Sequence, residues 1–175
     1  DKKLTYASPG IGSSVHLTGA YFEAMAGVTM LHVPFKGTSA SLPAVAGGQV
    51  DLLFDNLPGA LAQVKDGNLV RGVAVTSAAR DASLPDLPTV AESGLPGFDV
   101  TAWFALYAPR GTPEPVVRQL IEAARSGLGS QAIATNFATM GARPGTLFGA
   151  DLAAFERQER AKWGGLIKDK GITAQ

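Results

Sequence analysis

No cysteine occurs anywhere in this chain, which excludes a disulfide scaffold, a thiol nucleophile and a cysteine-ligated metal. Histidine is nearly as scarce: His16 and His32 are the only two, and they do not stand at metal-ligand spacing. Charge is thin and balanced, with 15 basic and 15 acidic residues. No basic block could neutralise a run of phosphates, so nucleic acid is not expected as a partner. Apolar runs are broken by Gly, Pro or charge well short of the ~18 residues that a membrane span requires.

What is present suits a folded α/β unit. The 175 residues are 46% hydrophobic and 17% charged, enough for one domain, or one and a piece, around a real core. No secretory leader precedes Asp1, and the chain opens close to an apparent strand. A processed mature protein and a piece of something longer both fit that start.

The most organised stretch is Leu4-Thr5-Tyr6-Ala7-Ser8-Pro9-Gly10-Ile11-Gly12-Ser13-Ser14-Val15-His16. It reads as a short strand, a tight Gly/Ser/Pro loop and the first turn of a helix running to about residue 25. Such a junction aims free backbone N–H groups and a positive helix end at one point, where a small anion can sit. The hydroxyls of Ser8, Ser13 and Ser14 surround the same point. Residues 28–33 read as a second strand. Phe35-Lys36-Gly37-Thr38-Ser39 then repeats the scheme, with a helix to about residue 46. Pro43 suits only a first helical turn, which would move the cap of that helix to Ser41. Residues 50–54 read as a third strand ending at Asp55-Asn56, 57–66 as a helix, and 69–76 as a fourth strand.

Alternating strands and helices at this spacing predict an α/β sheet with crossover connections. A Pro/Gly-rich stretch over 81–99 breaks the pattern, with a short helix near 89–93. Residues 101–108 read as a strand, and helices follow over about 112–125, 130–140 and 148–168. The Pro-rich stretch therefore divides a βα-repeating part from a helix-rich tail.

Ligands of open α/β sheets bind outside the carboxyl ends of the strands. Ser8 to His16, Lys36-Gly37 and Asp55-Asn56 all leave the sheet at that edge, which predicts one cleft with N–H and hydroxyl donors, a Lys, an Asp and an Asn. Loops and caps also need Gly, Ser and Asn on their own account. Gly10-x-Gly12 lacks the third glycine of a dinucleotide fingerprint, and no Gly-Lys-Ser/Thr follows it. Ser13, His16 and Asp55 can be assembled into a triad on paper, but no Gly-x-Ser-x-Gly elbow exposes a nucleophile. His16 falls where it can face the cleft, whereas His32 lies inside a strand, where packing is its ordinary role. Lys36 reads equally as a ligand contact or a solvated turn residue, and Asp55 as a ligand contact or a helix cap. Trp103 and Phe104 alternate in a strand, and Trp163 sits at core spacing in the last helix.

Several motifs in order resemble the Bug-type solute receptors of tripartite tricarboxylate transporters. They are Ser8-Pro9-Gly10…Ser13-Ser14…His16-Leu17, His32-Val33-Pro34-Phe35-Lys36-Gly37, Gly47-Gly48-Gln49-Val50-Asp51 and Asp55-Asn56-Leu57-Pro58. Ala74-Val75-Thr76-Ser77, Leu84-Pro85-Asp86-Leu87-Pro88-Thr89-Val90-Ala91-Glu92 and Thr101-Ala102-Trp103-Phe104 extend the likeness over nearly the whole chain.

The resemblance implies a periplasmic-binding-protein type II-like lobe that closes on a small carboxylate: a di- or tricarboxylate, an amino acid or an aromatic acid. It implies no cofactor, no metal and no catalysis, a periplasmic location, and membrane transporter subunits as partners. By position it assigns Ser8, Gly10, Ser13, Ser14 and His16 to the carboxylate loop of the second lobe, with Lys36, Gly37, Asp55 and Asn56 on neighbouring cleft loops.

Three features depart from the family pattern. Pro43 lies late in its helix, Gly149 stands where Pro-Glu is common, and family members are about twice as long, as two-lobed proteins must be. The last departure implies a fragment. Residues 1–99 would be the second ligand-binding lobe, and residues 100–175 a crossover strand and helices that complete the first lobe in the full receptor. Apolar faces carrying Val117, Leu120 and Phe155 would then lack their partner, and self-association would hide them. Two other classes remain open on the residues alone: a ligand-sensing domain of a regulator with the same fold, and an enzyme on the same sheet.

Overall fold

A computed structural model describes residues 3–173; Asp1, where the chain opens, lies outside the described residues. Three short parallel strands form the sheet: β1 (Thr5–Ser8), β2 (Leu31–Pro34) and β3 (Leu52–Leu53), in the order β2-β1-β3. Thr5 pairs with Leu31 and Ser8 with Pro34 on one side of β1, and Tyr6 pairs with Leu52 on the other. The central position of β1 buries Tyr6, Ala7 and Ser8. Helices α1 (Ser14–Ala26), α2 (Thr38–Ala46) and α3 (Leu57–Asp66) each follow a strand, so all three strands end at the edge where their helices begin.

Local chemistry sets these boundaries. Ser13 caps α1 by accepting the His16 N–H, and Gly27 closes it in the left-handed region at φ 65°. Gly67, at φ 69°, closes α3 in the same way. Glu23 is buried in the last turn of α1, where the helix dipole disfavours an acid. Its Oε1 accepts the Met30 N–H at 2.6 Å and ties the helix end to the approach of β2. Thr5 and Asp51 lock β1 to the entry of β3 reciprocally. Asp51 Oδ2 accepts from Thr5 N and Oγ1, and Thr5 Oγ1 accepts from Asp51 N.

Two apolar clusters flank the sheet. Ala7, Ala44 and Val50 pack with Val33, Phe35 and Leu53 under α2. Val90, Phe98 and Val100 pack with Tyr21, Phe22, Met25 and Trp163 beyond α1. Phe98 is 1% exposed, and burial of a side chain that size is worth about 1.5–3 kcal/mol.

Several sequence expectations change, and the third strand, read over residues 50–54, shortens to Leu52–Leu53. Helix α2 starts at Thr38, not Ser41, so Pro43 lies inside it. Gly37, at φ 93°, turns the chain into the helix early, and the helix is short enough that the proline interrupts little. Strand β2 starts at Leu31, because Val28 and Thr29 are exposed beside the Gly27 turn. Residues 89–93 form one turn closed by a reciprocal cap: Thr89 N donates to Glu92 Oε2, and Glu92 N donates to Thr89 Oγ1. Finally, residues 69–76 and 101–108 are not sheet strands among the described residues. Only Val75 makes a bridge, to Thr89, while Val73, Phe104 and Leu106 are 74%, 88% and 81% exposed. A strand needs a neighbour along its length to take its backbone bonds; Val75 and Thr76 bond to Pro88, Val90 and Val100, too short a run to make a sheet strand.

The tail consists of α4 (Glu114–Leu128), α5 (Gln131–Thr139) and α6 (Ala150–Asp169), none of which holds a fully buried residue. Helix α6 returns to the sheet-bearing part. Trp163 meets Tyr21 edge-on at 5.9 Å, and Lys162 donates to the Asp99 carbonyl at 2.7 Å. The tail also touches down at Gly141, which packs on Leu57 and Leu61, and at Arg143, which pairs with Asp81 at 3.1 Å.

Candidate functional site

The carboxyl edge of the sheet gathers three loops. The β1–α1 loop lies beside the β2–α2 loop: Phe35 N donates to Ser8 O at 2.8 Å and Gly37 N to Pro9 O at 3.3 Å. Asp55, after β3, lies against the start of α3 at Gly59. Its Oδ1 accepts from Asn56 N at 2.8 Å, while Oδ2 is enclosed with no hydrogen-bond partner among the described residues. Burial pushes this carboxyl above the usual carboxylate range.

Within the first loop, side chains shape the backbone. Ser8 is fully buried and its Oγ turns back on Gly10, donating to the carbonyl at 3.0 Å and accepting the N–H at 3.2 Å. Ser8 Oγ also shares a hydrogen bond of 2.7 Å with His32 Nε2. Ser13 Oγ donates to the same Gly10 carbonyl at 2.7 Å. Gly12, at φ 77°, donates its N–H to His16 Nδ1 at 3.0 Å, which places the proton of neutral His16 on Nε2.

The imidazoles of His16 and His32 stack at 3.8 Å and lie against the Tyr6 ring. Burial lowers both histidine pKa values, and His32, beside His16, falls to about 4. Burial raises the Tyr6 phenol, helped by the charge of Glu23. Neutral rings therefore hold this loop, and the first-turn N–H groups of α1 stand at its rim.

Next to this rim a cavity of about 320 Å³ opens between α1, α6 and residues 100–104. Ser14, Asp55, Asn56, Thr76 and Thr101 supply its polar lining, and Phe54, Trp103, Phe104 and Trp163 its aromatic lining. Of the ligand-binding candidates from the sequence, Ser14, Asp55 and Asn56 line this cavity. Gly10, Ser13 and Gly37 shape the loops beside it, Lys36 is an exposed turn residue, and Ser8 and His16 are buried behind the loop.

Thr76, Thr101 and Glu159 were not expected in the site. Glu159 carried a readable signal. It lies four residues from both Phe155 and Trp163, an acid on the apolar stripe of α6. Thr76 and Thr101 carried none, since their place depends on where two segments meet.

Residues 1–172 match the family model described as "Tripartite tricarboxylate transporter family receptor", and the chain belongs to that family. A "UPF0065 protein in tcbD-tcbE intergenic region" of Pseudomonas sp. (strain P51) is 35% identical over 98% of this chain and 51% of its own length. Among solved structures, R. palustris Rpa4515 with adipate superposes with a TM-score of 0.88 at 36% identity, covering 98% of this chain and 57% of that one. The periplasmic binding protein BugD superposes at 0.83 with 35% identity, covering 98% and 58%. The chain thus spans about half the length of the relatives it matches. The family is one of receptors rather than enzymes, and no helix among the described residues is long and apolar enough to cross a membrane.

Proposed function

We propose that this chain is part of an extracytoplasmic solute receptor that captures a small carboxylate for a tripartite tricarboxylate transporter. The observation that carries this reading is the junction of the β1–α1 loop with the cavity. Ser13 and Ser14 stand at the N-terminus of a 13-residue helix, beside Asn56, Thr76 and Thr101, so neutral donors converge with the positive end of α1. Such donors hold a carboxylate without a counter-charge and release it again, as a transport receptor must. The adipate seen with Rpa4515 supports a carboxylate as cargo, and the periplasmic setting of BugD supports the same compartment here.

On this reading residues 1–99 are one ligand-binding lobe, and residues 100–175 cross to complete the other lobe in the full receptor. The exposed apolar side chains of 101–108 and of α4 support that division, and they would drive the chain to self-associate when it stands alone. The test is thermal unfolding against a panel of organic acids, with Ser14→Ala as control. A ligand at about 100 times its Kd adds about 2.7 kcal/mol. A melting temperature that no carboxylate raises overturns the proposal.

A further inference from the structure

The cavity has a feature that carboxylate capture does not use: its charged lining residues are acids. Asp55 and Glu159 line it, and no Lys, Arg or His does so among the described residues. Glu159 stands within an aromatic wall. Its Oε2 accepts from both indoles, Trp103 Nε1 at 3.1 Å and Trp163 Nε1 at 2.9 Å. Phe155 meets the Trp103 ring edge-on at 5.3 Å and fixes that indole from behind. One carboxylate thus holds two electron-rich rings as a unit in the wall of the cavity, and Ser14, the first residue of α1, lines the same cavity.

Aromatic faces attract cations, most strongly ammonium groups that are partly desolvated, and an adjacent carboxylate adds Coulomb attraction. The protein already uses this chemistry next door: Lys162 Nζ lies 5.0 Å from the Trp163 ring centre and 5.2 Å from that of Tyr21. An anion placed directly against Glu159 would meet like charge on that carboxylate. We infer that Glu159, Trp103 and Trp163 form an ammonium subsite. The cavity then selects a zwitterion, with its carboxylate at Ser14 and a quaternary or primary ammonium at Glu159. This rests on the carboxylate reading for one end of the ligand only.

The test is isothermal titration of the protein with three probes. Glycine betaine carries both charges, 3,3-dimethylbutanoate is its isostere with carbon in place of the ammonium nitrogen, and choline carries the cation without the carboxylate. The inference expects betaine to bind about three- to tenfold tighter than its isostere, a cation–π contact on a partly exposed ring together with the Glu159 charge. Glu159→Gln keeps an acceptor for both indoles but removes the charge, and it should bring the ratio close to one. Trp103→Phe, which keeps a ring and loses the N–H, is the second variant and should weaken betaine more than the isostere.

Equal binding of the two isosteres overturns the ammonium subsite and leaves carboxylate capture standing. A betaine preference that survives Glu159→Gln overturns it as well, as does failure of both betaine and choline to bind. Choline binding that Glu159→Gln abolishes, with no binding of 3,3-dimethylbutanoate, supports the subsite and removes the carboxylate reading.

Discussion

The His16 and His32 rings lie 3.8 Å apart and within 10° of parallel, each with a nitrogen bonded into the β1–α1 loop. A neutral pair stacked this way cannot take up protons without loss. A proton on His16 Nδ1 would oppose the Gly12 N–H, and charge on one ring opposes charge on the other. Glu23, the one acid acting on His16, works in the opposite direction but more weakly than burial.

The sign of the pH effect follows. Both histidines titrate lower in the fold than in the unfolded chain, so their contribution is complete above about pH 6.5 and fades as pH falls toward about 4, where His32 titrates. His32 is partly exposed, and screening reduces the effect to about 1–2 kcal/mol. Urea midpoints measured from neutral to mildly acidic pH should show this loss, and His32→Gln should flatten it. A midpoint that does not move between pH 7 and 5 would sink the prediction.

Gly19 of α1 lies against the Tyr6 ring of β1. A methyl at Gly19 would sit 2.8 Å from Tyr6 Cδ2 and closer still to Cε2, against a ring that is 1% exposed and has nowhere to go. Gly19→Ala should therefore destabilise the protein by about 1–3 kcal/mol despite the better helix propensity of alanine. Tyr6→Leu in the same chain should recover part of that loss. The double-mutant cycle in urea checks it, and simple additivity would rule out the clash.

Legibility from the sequence divides along one physical line. Helices α1 and α3 were readable because their boundaries are local: Ser13 caps, and Gly27 and Gly67 take left-handed turns. The three loops at one sheet edge were readable because strand–helix alternation fixes that edge. The start of α2 is open in the sequence, because the hydroxyls of Thr38 and Ser39 suit a cap while Pro43 points to Ser41; the turn at Gly37 decides for Thr38. Residues 101–108 have strand composition, but composition cannot supply a pairing partner. The His16–His32 stack and the Glu159 bond to Trp103 join residues 16 and 56 positions apart, beyond any periodic signal.

Asp55 offers a separation of stability from binding. Its pKa is raised, so the fold disfavours the charged form, and stability attributable to this group increases as pH falls through its folded pKa. Asp55→Asn keeps an acceptor for the Asn56 N–H and removes the buried charge. The variant should be as stable as the parent at neutral pH or slightly more so, by up to about 1 kcal/mol. Calorimetry checks this. A clear drop in melting temperature would mean that the charge itself holds the start of α3 in place.

Residues 101–108 make the last case. Phe104, Leu106 and Tyr107 are 88%, 81% and 61% exposed on one segment, and Val116 and Leu120 on α4 are more than two-fifths exposed. A run with apolar side chains and free backbone groups is a template for strand addition. The 175-residue chain should therefore form dimers or larger species in sedimentation velocity, with the fraction rising as concentration rises. Leu106→Lys places a charge in that contact without touching the buried core, so it should shift the distribution toward monomer with little change in helical content. If the parent chain sediments as a single monomer at every concentration, these side chains are hidden by a rearrangement of the chain's own tail. The Glu159 contact to Trp103 would then be broken, and tryptophan emission would shift toward that of Trp103→Phe.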